Sequence, residues 1–282
     1  MSLPLKVDLT GKVAVVTGAG GVICGAMAKA LAESGAKVAV LDLKLEAATK
    51  VADEIVAAGG TAKPYSANVL EKDSLAACHA KVLEELGPCD ILVNGAGGNH
   101  PKAQTTKEYY EVGDLDADTV SFFDLDLNGV QFVFNLNIIG TLLPTQEFAK
   151  DMTERKSGNI LNVSSMNAFT PLTKIPAYSS AKAGVSNFTQ WLAVHFSKVG
   201  IRVNAIAPGF LSTAQNKSLL WNADGTPTER TKKILAATPM DRMVQPEELL
   251  GGTLFLVSDE AASAITGVVL PIDAGFSSYA GV

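Results

Sequence analysis

Short apolar runs rich in β-branched residues alternate with longer stretches of helical periodicity along the chain. The runs cover 13–17, 37–41, 62–67, 91–94, 159–164, 202–207 and 268–272. Between them lie alanine-rich or amphipathic segments at 23–34, 45–58, 72–85, 132–154, 176–199 and 246–258. Strands alternating with helices in this way predict βαβ units and a parallel sheet. Several runs are apolar at successive positions, as strands buried between two helix layers require. The expected fold is α/β, a doubly wound seven-stranded parallel sheet with helices on both faces.

No linker-like composition divides these elements and no internal repeat recurs, so 1–282 is expected to form one domain. Two stretches break the alternation. Residues 99–128 are polar and acidic, and longer than a simple crossover needs, so they read as an insertion. Residues 211–240 are irregular, with Trp221, Gly225 and Pro227, and read as a lid over a substrate.

Composition narrows the functional classes. The 282 residues are 47% hydrophobic with a mean hydropathy of +0.21, enough for a large core. Every apolar stretch is broken by Gly, Pro or charge well before about 18 residues, so no membrane span and no signal peptide are expected. A net charge of −6 without a Lys/Arg cluster argues against nucleic acid as a partner. Cys24, Cys78 and Cys89 have no metal-type spacing, and an odd count fits a reducing, cytoplasmic setting. His79, His100 and His195 are scattered, so no metal is expected.

Four strand ends carry a nucleotide-binding signal, because ligands of open parallel sheets bind beyond the carboxyl ends of the strands. After the first run comes Thr17-Gly18-Ala19-Gly20-Gly21, leading through Val22 and Ile23 into a helix. Glycines there let backbone amides approach a pyrophosphate that the helix N-terminus stabilises. Val22 and Cys24 stand where further glycines would be expected, with Gly21 and Gly25 as the nearest substitutes. Asp42 ends the second run, 24 residues after Gly18, where a carboxylate accepts both adenosine ribose hydroxyls and repels a 2′-phosphate. NAD is therefore expected over NADP, although Lys44 lies two residues on. Asn68 and Val69 end the third run beside the adenine, and Asn94, Ala96 and Gly97 end the fourth against the cofactor.

Tyr178 and Lys182, four residues apart, share one face of a predicted helix. An ammonium beside a phenol lowers the phenol pKa, which suits proton transfer in alcohol–ketone chemistry. Ser165, thirteen residues before the tyrosine, is favoured by spacing over Ser164 as a second donor to a carbonyl oxygen. Pro208-Gly209 ends the sixth run, and Thr213 follows as a candidate partner for the nicotinamide carboxamide.

Taken in order, Thr17-Gly18, Asp42, Asn94-Gly95-Ala96-Gly97, Asn137 before Gly140, Ser165, Tyr178-x-x-x-Lys182 and Pro208-Gly209 with Thr213 resemble the short-chain dehydrogenase/reductase family. The resemblance covers essentially the whole chain and implies a Rossmann fold. It further implies Tyr178 as general acid/base, with Ser165 on the substrate oxygen. Lys182 would bind the nicotinamide ribose and lower the tyrosine pKa. Asn137, favoured over Asn135 by its distance to Gly140, would hold a water that links Lys182 to solvent. A homotetramer is also implied.

One subgroup, the D-mannonate oxidoreductases (fructuronate reductases) of the short-chain type, is resembled more closely. The carriers are Asn94-Gly95-Ala96-Gly97-Gly98-Asn99-His100-Pro101-Lys102, the insertion, and the C-terminal stretch from Pro271 through Asp273 and Tyr279 to Val282. The substrate expected from this likeness is a keto or hydroxy sugar acid. Asn99, His100, Lys102, Asn167 and Lys174 are polar or cationic residues suited to a carboxylate bearing many hydroxyls. A gluconate-type polyol dehydrogenase and a general carbonyl reductase are the alternatives within the class. The mixture of Leu219, Leu220 and Trp221 with Asn216, Lys217 and Asp224 in the lid speaks against an apolar ketone. A cofactor-binding protein without catalysis is the alternative outside it.

Overall fold

The computed structural model describes residues 7–213 and 220–281. Asn216, Lys217 and Leu219 of the expected lid, and Val282 of the C-terminal motif, lie outside the described residues.

Each expected apolar run is a strand, with ends shifted by at most a residue or so: β1 Val13–Thr17, β2 Lys37–Asp42, β3 Thr61–Ser66, β4 Ile91–Asn94, β5 Gly158–Val163, β6 Ile201–Pro208 and β7 Val269–Ile272. They form one seven-stranded sheet in the order β3-β2-β1-β4-β5-β6-β7. Every pairing is parallel; Thr17 faces Leu41 across β1 and β2, and Val16 faces Val93 across β1 and β4. The chain runs outward from β1 to β3 and then returns to the other side of β1. The strand order therefore reverses between β1 and β4, which opens a crevice at their carboxyl ends.

Successive strand side chains point to opposite faces, so a run that is apolar throughout feeds two cores. Ala14, Val16, Val38, Val40 and Val93 pack against α1 (Val22–Glu33), α2 (Leu45–Ala57) and α8 (Glu248–Val257). Val13, Val15, Ala39, Leu41 and Leu92 turn the other way, against α3 (Lys72–Glu85), α5 (Gly140–Arg155) and α6 (Pro176–Phe196). Met27 and Leu31 anchor the first layer, and Phe148 and Met152 the second, all fully buried.

The segment expected as one helix at 132–154 is longer and interrupted. It starts as α4 (Leu127–Phe134), where Asp126 Oδ1 accepts the Gly129 amide at 2.7 Å, an N-cap at the end of a polar stretch. A π-helical turn over Asn135–Ile139 separates α4 from α5. Such one-residue expansions have no hydropathic signature and often mark functional positions. A helix was also not expected at α7 (Glu229–Ala236), which Thr228 caps within the lid; α9 (Asp259–Ala262) follows α8.

Up to the start of α4 at Leu127, the helical turns of the insertion at 99–128 are all 3₁₀, at Pro101–Ala103, Asp114–Asp116 and Phe122–Asp124. Lys107 holds it from within, donating to the buried Asp114 at 2.8 Å and to Glu111 at 2.6 Å. Among the described residues, no helix is long and apolar enough to cross a membrane.

One buried polar chain ties the second layer to the sheet. Asn94 donates to Thr145 Oγ1 and to Asn162 Oδ1, both at 2.9 Å, and Asn162 donates to Thr189 Oγ1 at 2.9 Å. These links run from α5 through β4 and β5 to α6, and all four side chains are buried. Although Asn94 Oδ1 itself has no partner, a buried network of this kind fixes register and orientation, and one missing member leaves further groups unpaired in a dry interior. Asn162→Ala is expected to lower unfolding stability by about 2–4 kcal/mol in urea titration, whereas Lys150→Ala on the exposed face should change it by about 0.5 kcal/mol or less.

Candidate active site

A cleft of about 880 Å³ lies over the carboxyl ends of β1, β2 and β4. At its floor the turns after β1 and β4 touch. Gly18 has φ +65° and its hydrogen faces Ala96 Cα, where a Cβ would stand 2.9 Å away. Thr17 stitches the turns together: its hydroxyl oxygen accepts the amides of Gly95 (3.0 Å) and Ala96 (3.2 Å) and donates to the Val93 carbonyl.

The departure from the expected glycine spacing has a local explanation. The Cys24 side chain fills the space that Gly95 leaves, since a Cβ on Gly95 would overlap the Cys24 sulfur. Val22 is 38% exposed at the cleft and meets no such wall. Burial pushes the Cys24 thiol up to about 12, so it stays protonated and packs as a small apolar group. Gly21 caps α1 without any side chain, which leaves first-turn amides for an anion.

Asp42 reaches back to this loop. One carboxylate oxygen accepts the Gly20 amide at 3.1 Å and the other the Lys44 amide at 3.0 Å. A carboxylate has about four acceptor positions, so capacity remains for hydroxyls in the cleft that Asp42 lines. A Cβ on Gly20 would lie 2.6 Å from Ala47 Cβ and 2.9 Å from Asp42 Oδ2, so glycine is needed there for packing although Gly20 does not line the cleft.

Of the residues singled out from sequence for a cofactor, Gly18, Gly21, Val22, Ile23, Asp42 and Asn68 line the cleft, as do Val69, Ala96, Gly97, Gly209 and Thr213. Asn94 and Pro208 are buried beneath it. Asn94 spends its amide on the network above, not on the cleft.

The catalytic candidates arrive from three elements. Ser165 follows β5, caps the turn Met166–Ala168, and lines the cleft near the Tyr178 phenol, whose pKa it lowers. Ser164 instead turns inward, to the Lys182 carbonyl (3.1 Å) and Ser186 Oγ (2.7 Å), while Ser165 lines the cleft. Asn137 sits at the centre of the π-helical turn, fully buried. Its Nδ2 donates to the Gly98 carbonyl at 2.8 Å and the Val133 carbonyl at 2.7 Å, while Asn135 is exposed. Lys182 is buried and donates to the Val163 carbonyl at 2.8 Å. Asn137 and Lys182 converge on Gly97, where a Cβ would stand 2.8 Å from Asn137 Oδ1 and 3.1 Å from Lys182 Nζ.

One electrostatic expectation needs correction. Lys182 Nζ lies 5.7 Å from the centre of the Tyr178 ring, with no hydrogen bond to the phenol oxygen. Burial raises the Tyr178 pKa, and the neighbouring Ser165 hydroxyl offsets this only in part. The same burial lowers Lys182 to about 8. Shared helix face alone does not bring ammonium to phenol, because the lysine chain extends past the ring to the strand.

The residues expected at the substrate divide. Asn99 and Asn167 line the cleft, and the Oδ1 atom of each is buried with no hydrogen-bond partner. His100 and Lys102 line neither this cleft nor its neighbour. His100 packs on Phe132, and its Nδ1 accepts the Lys102 amide at 3.2 Å. Lys174 lines an adjoining cavity of about 430 Å³. Arg230 of α7, not singled out from sequence, lines both; a lone basic residue in an irregular stretch carries no signal. Among the described residues, no group of three His, Cys, Asp or Glu is placed to hold a metal.

Comparison with known proteins agrees with this geometry. The model for the short chain dehydrogenase family matches residues 12–223. An uncharacterized oxidoreductase of Haemophilus influenzae is 56% identical over 282 residues, covering 100% of this chain and 99% of that protein. The uncharacterized oxidoreductase UxuB of Bacillus subtilis is 49% identical over 280 residues, covering 99% and 100%. A Haemophilus crystal structure described as that of a candidate D-mannonate oxidoreductase, with NAD bound, superposes with a TM-score of 0.95 at 56% identity over 100% of both chains.

Gly95→Ala is expected to lower stability by about 1–3 kcal/mol through overpacking against the Cys24 sulfur. Adding Cys24→Gly should restore most of that loss. Thermal unfolding of both single variants and the double variant checks the coupling; simple additivity would contradict it.

Proposed function

The chain belongs to the short-chain dehydrogenase family and is an oxidoreductase, and on that premise we propose that it interconverts a secondary alcohol and a ketone on a sugar acid, D-mannonate and D-fructuronate, with NAD(H). The observation that carries the reading is the placement of the Ser165–Tyr178 hydroxyl pair in one cleft with Asp42 at one end and the unpartnered amides of Asn99 and Asn167 beside it.

The cleft fits a dinucleotide. Gly18, Gly21, Val22 and Ile23 would face the pyrophosphate, where α1 has no side-chain cap to compete. Asp42 would accept the adenosine ribose hydroxyls and disfavour a 2′-phosphate, which supports NAD over NADP. Asn68 and Val69 would border the adenine, with Asn94 supporting from below. Ala96, Gly97, Pro208 and Gly209 give the nicotinamide end close backbone, and Thr213 would meet its carboxamide. The cofactor, when bound, supplies or accepts the hydride.

The protein's task is then to manage one proton and the charge on one oxygen. Tyr178 donates its phenolic proton to the substrate oxygen in reduction and takes it back in oxidation. Burial keeps that proton on the tyrosine, which suits the acid role. Ser165 donates a second hydrogen bond to the same oxygen as negative charge develops. Lys182, lowered to about 8 yet mostly charged at neutral pH, binds the nicotinamide ribose. Asn137, fixed by the π-helical turn against Gly97, holds a water through which Lys182 exchanges the proton with solvent. On this reading Asn99 and Asn167 bind substrate hydroxyls, with His100 and Lys102 shaping the loop around Asn99.

The domain reading is a single unit, 1–282, whose insertion and lid enclose the substrate. A homotetramer is part of the proposal, supported by exposed Phe132 and Phe134 on α4 and exposed Trp191 and Val194 on α6. Cytoplasmic placement is supported by three free, buried cysteines.

A panel of keto sugar acids, polyols and aromatic ketones, assayed with NADH and NADPH by absorbance of the reduced cofactor, tests the reading. NADH-linked reduction of fructuronate is expected to exceed that of aromatic ketones by at least about 100-fold in kcat/KM, roughly 2.7 kcal/mol of discrimination. Equal rates would remove the sugar acid, and preference for NADPH would remove the Asp42 argument.

A further inference from the structure

Charge inside the cleft is sparse and polarised. Among the described residues that line it, Asp42 is the one carboxylate and Arg230 the one arginine or lysine. Asp42 stands over β2, at the end assigned above to adenosine. Arg230 comes from α7, in the first turn of a helix whose N-cap, Thr228, accepts the Thr231 amide at 3.3 Å. Ser165, Tyr178 and Asn167 line the same cleft.

Three observations give this arginine a ligand. It is exposed and makes no ion pair or hydrogen bond with another described residue, unlike Arg155, Arg202 and Arg242, each bonded to a carboxylate. It also lines the adjoining cavity with Lys174; the two carboxylates there, Glu108 and Glu229, are paired with Lys233 and Lys232, so a substrate reaching past the hydroxyl pair meets the remaining positive charge. Finally, Asn167 is 5% exposed, and its Oδ1 has no hydrogen-bond partner, an acceptor waiting in the same cleft. A guanidinium offers a planar fork to a carboxylate, and an amide beside it suits the neighbouring hydroxyls.

The helix that carries Arg230 is tied to the insertion, because Lys233, one turn further on, donates to Glu108 at 2.8 Å. Both irregular stretches of the sequence therefore meet at the end of the cleft where the arginine lies.

We propose that Arg230 is the specificity-determining residue that binds the substrate carboxylate, so that the enzyme selects carboxylated ketones over neutral ones of the same skeleton. The inference deepens the sugar-acid reading and rests on it for the identity of the polyol, but not for the presence of a carboxylate.

The experiment compares the wild-type enzyme with Arg230→Gln and Arg230→Lys on matched pairs: fructuronate with its methyl ester, and aliphatic keto acids with theirs. Arg230→Gln should raise KM for the acids about 10- to 100-fold, the loss expected of a charge-assisted hydrogen bond. It should leave the esters and the Kd for NADH within about twofold. Arg230→Lys should recover part of the acid preference, since it keeps the charge without the fork. Equal losses on acid and ester, or no loss on either, would overturn the assignment. If only the aliphatic keto acids are turned over, with an Arg230-dependent preference, the carboxylate anchor stands and the sugar-acid reading falls. If nothing is turned over, binding of the same acids to the enzyme–NADH complex, followed by cofactor fluorescence, decides: tighter binding by wild type than by Arg230→Gln supports the anchor, and equal binding removes it.

Discussion

At the crevice between β1 and β4 the backbone comes too close to other atoms to carry side chains, and the arrangement of the site follows from that. A Cβ on Gly18 would press on Ala96 Cα, one on Gly95 would overlap the Cys24 sulfur, and one on Gly97 would meet both Asn137 and Lys182. The strand reversal puts these positions together. Two strand-end turns can then touch, joined through the Thr17 hydroxyl. Functional side chains from a π-helical turn and from α6 close in against bare backbone from the other side.

Orientation comes from the polar chain beneath. Asn94 and Asn162 lie at the ends of β4 and β5, and their amides clamp α5 and α6 through Thr145 and Thr189. Those helices carry the candidate proton-handling groups or follow directly from them, so a fold-level network also sets a site-level geometry. The lysine shows what burial adds. Desolvation brings Lys182 down to about 8 while holding Tyr178 up, so the two groups move apart in proton affinity and the tyrosine keeps its proton more firmly than the lysine does.

Much of this was legible in the sequence, and the reasons for the rest are physical. The strands were readable because a parallel sheet needs runs that are apolar on both faces, and Val13–Thr17 and Ile91–Asn94 are such runs. The position of the cleft was readable because crevices in an open parallel sheet lie at strand ends, and Gly18, Asp42 and Asn68 line it there. The π-helical turn was not, since one extra residue per turn leaves hydropathy unchanged. Neither was the match between Cys24 and Gly95, a contact between positions 71 apart that only tertiary structure creates. The turn capped by Thr228 hid α7 and with it Arg230, because eight residues with one apolar stripe look like any loop. Asn94 misled in the opposite sense, sitting in a strand-end motif while its side chain serves the interior.

The central claim is that Tyr178 handles the proton of a carbonyl reduction while the rest of the cleft binds and orients. The most direct measurement is turnover by Tyr178→Phe on the best wild-type ketone substrate, alongside its NADH affinity and thermal unfolding. The account predicts a fall in kcat of about 10²- to 10⁴-fold with NADH binding and unfolding temperature preserved. Wild-type turnover in a folded, NADH-binding Tyr178→Phe protein would contradict it.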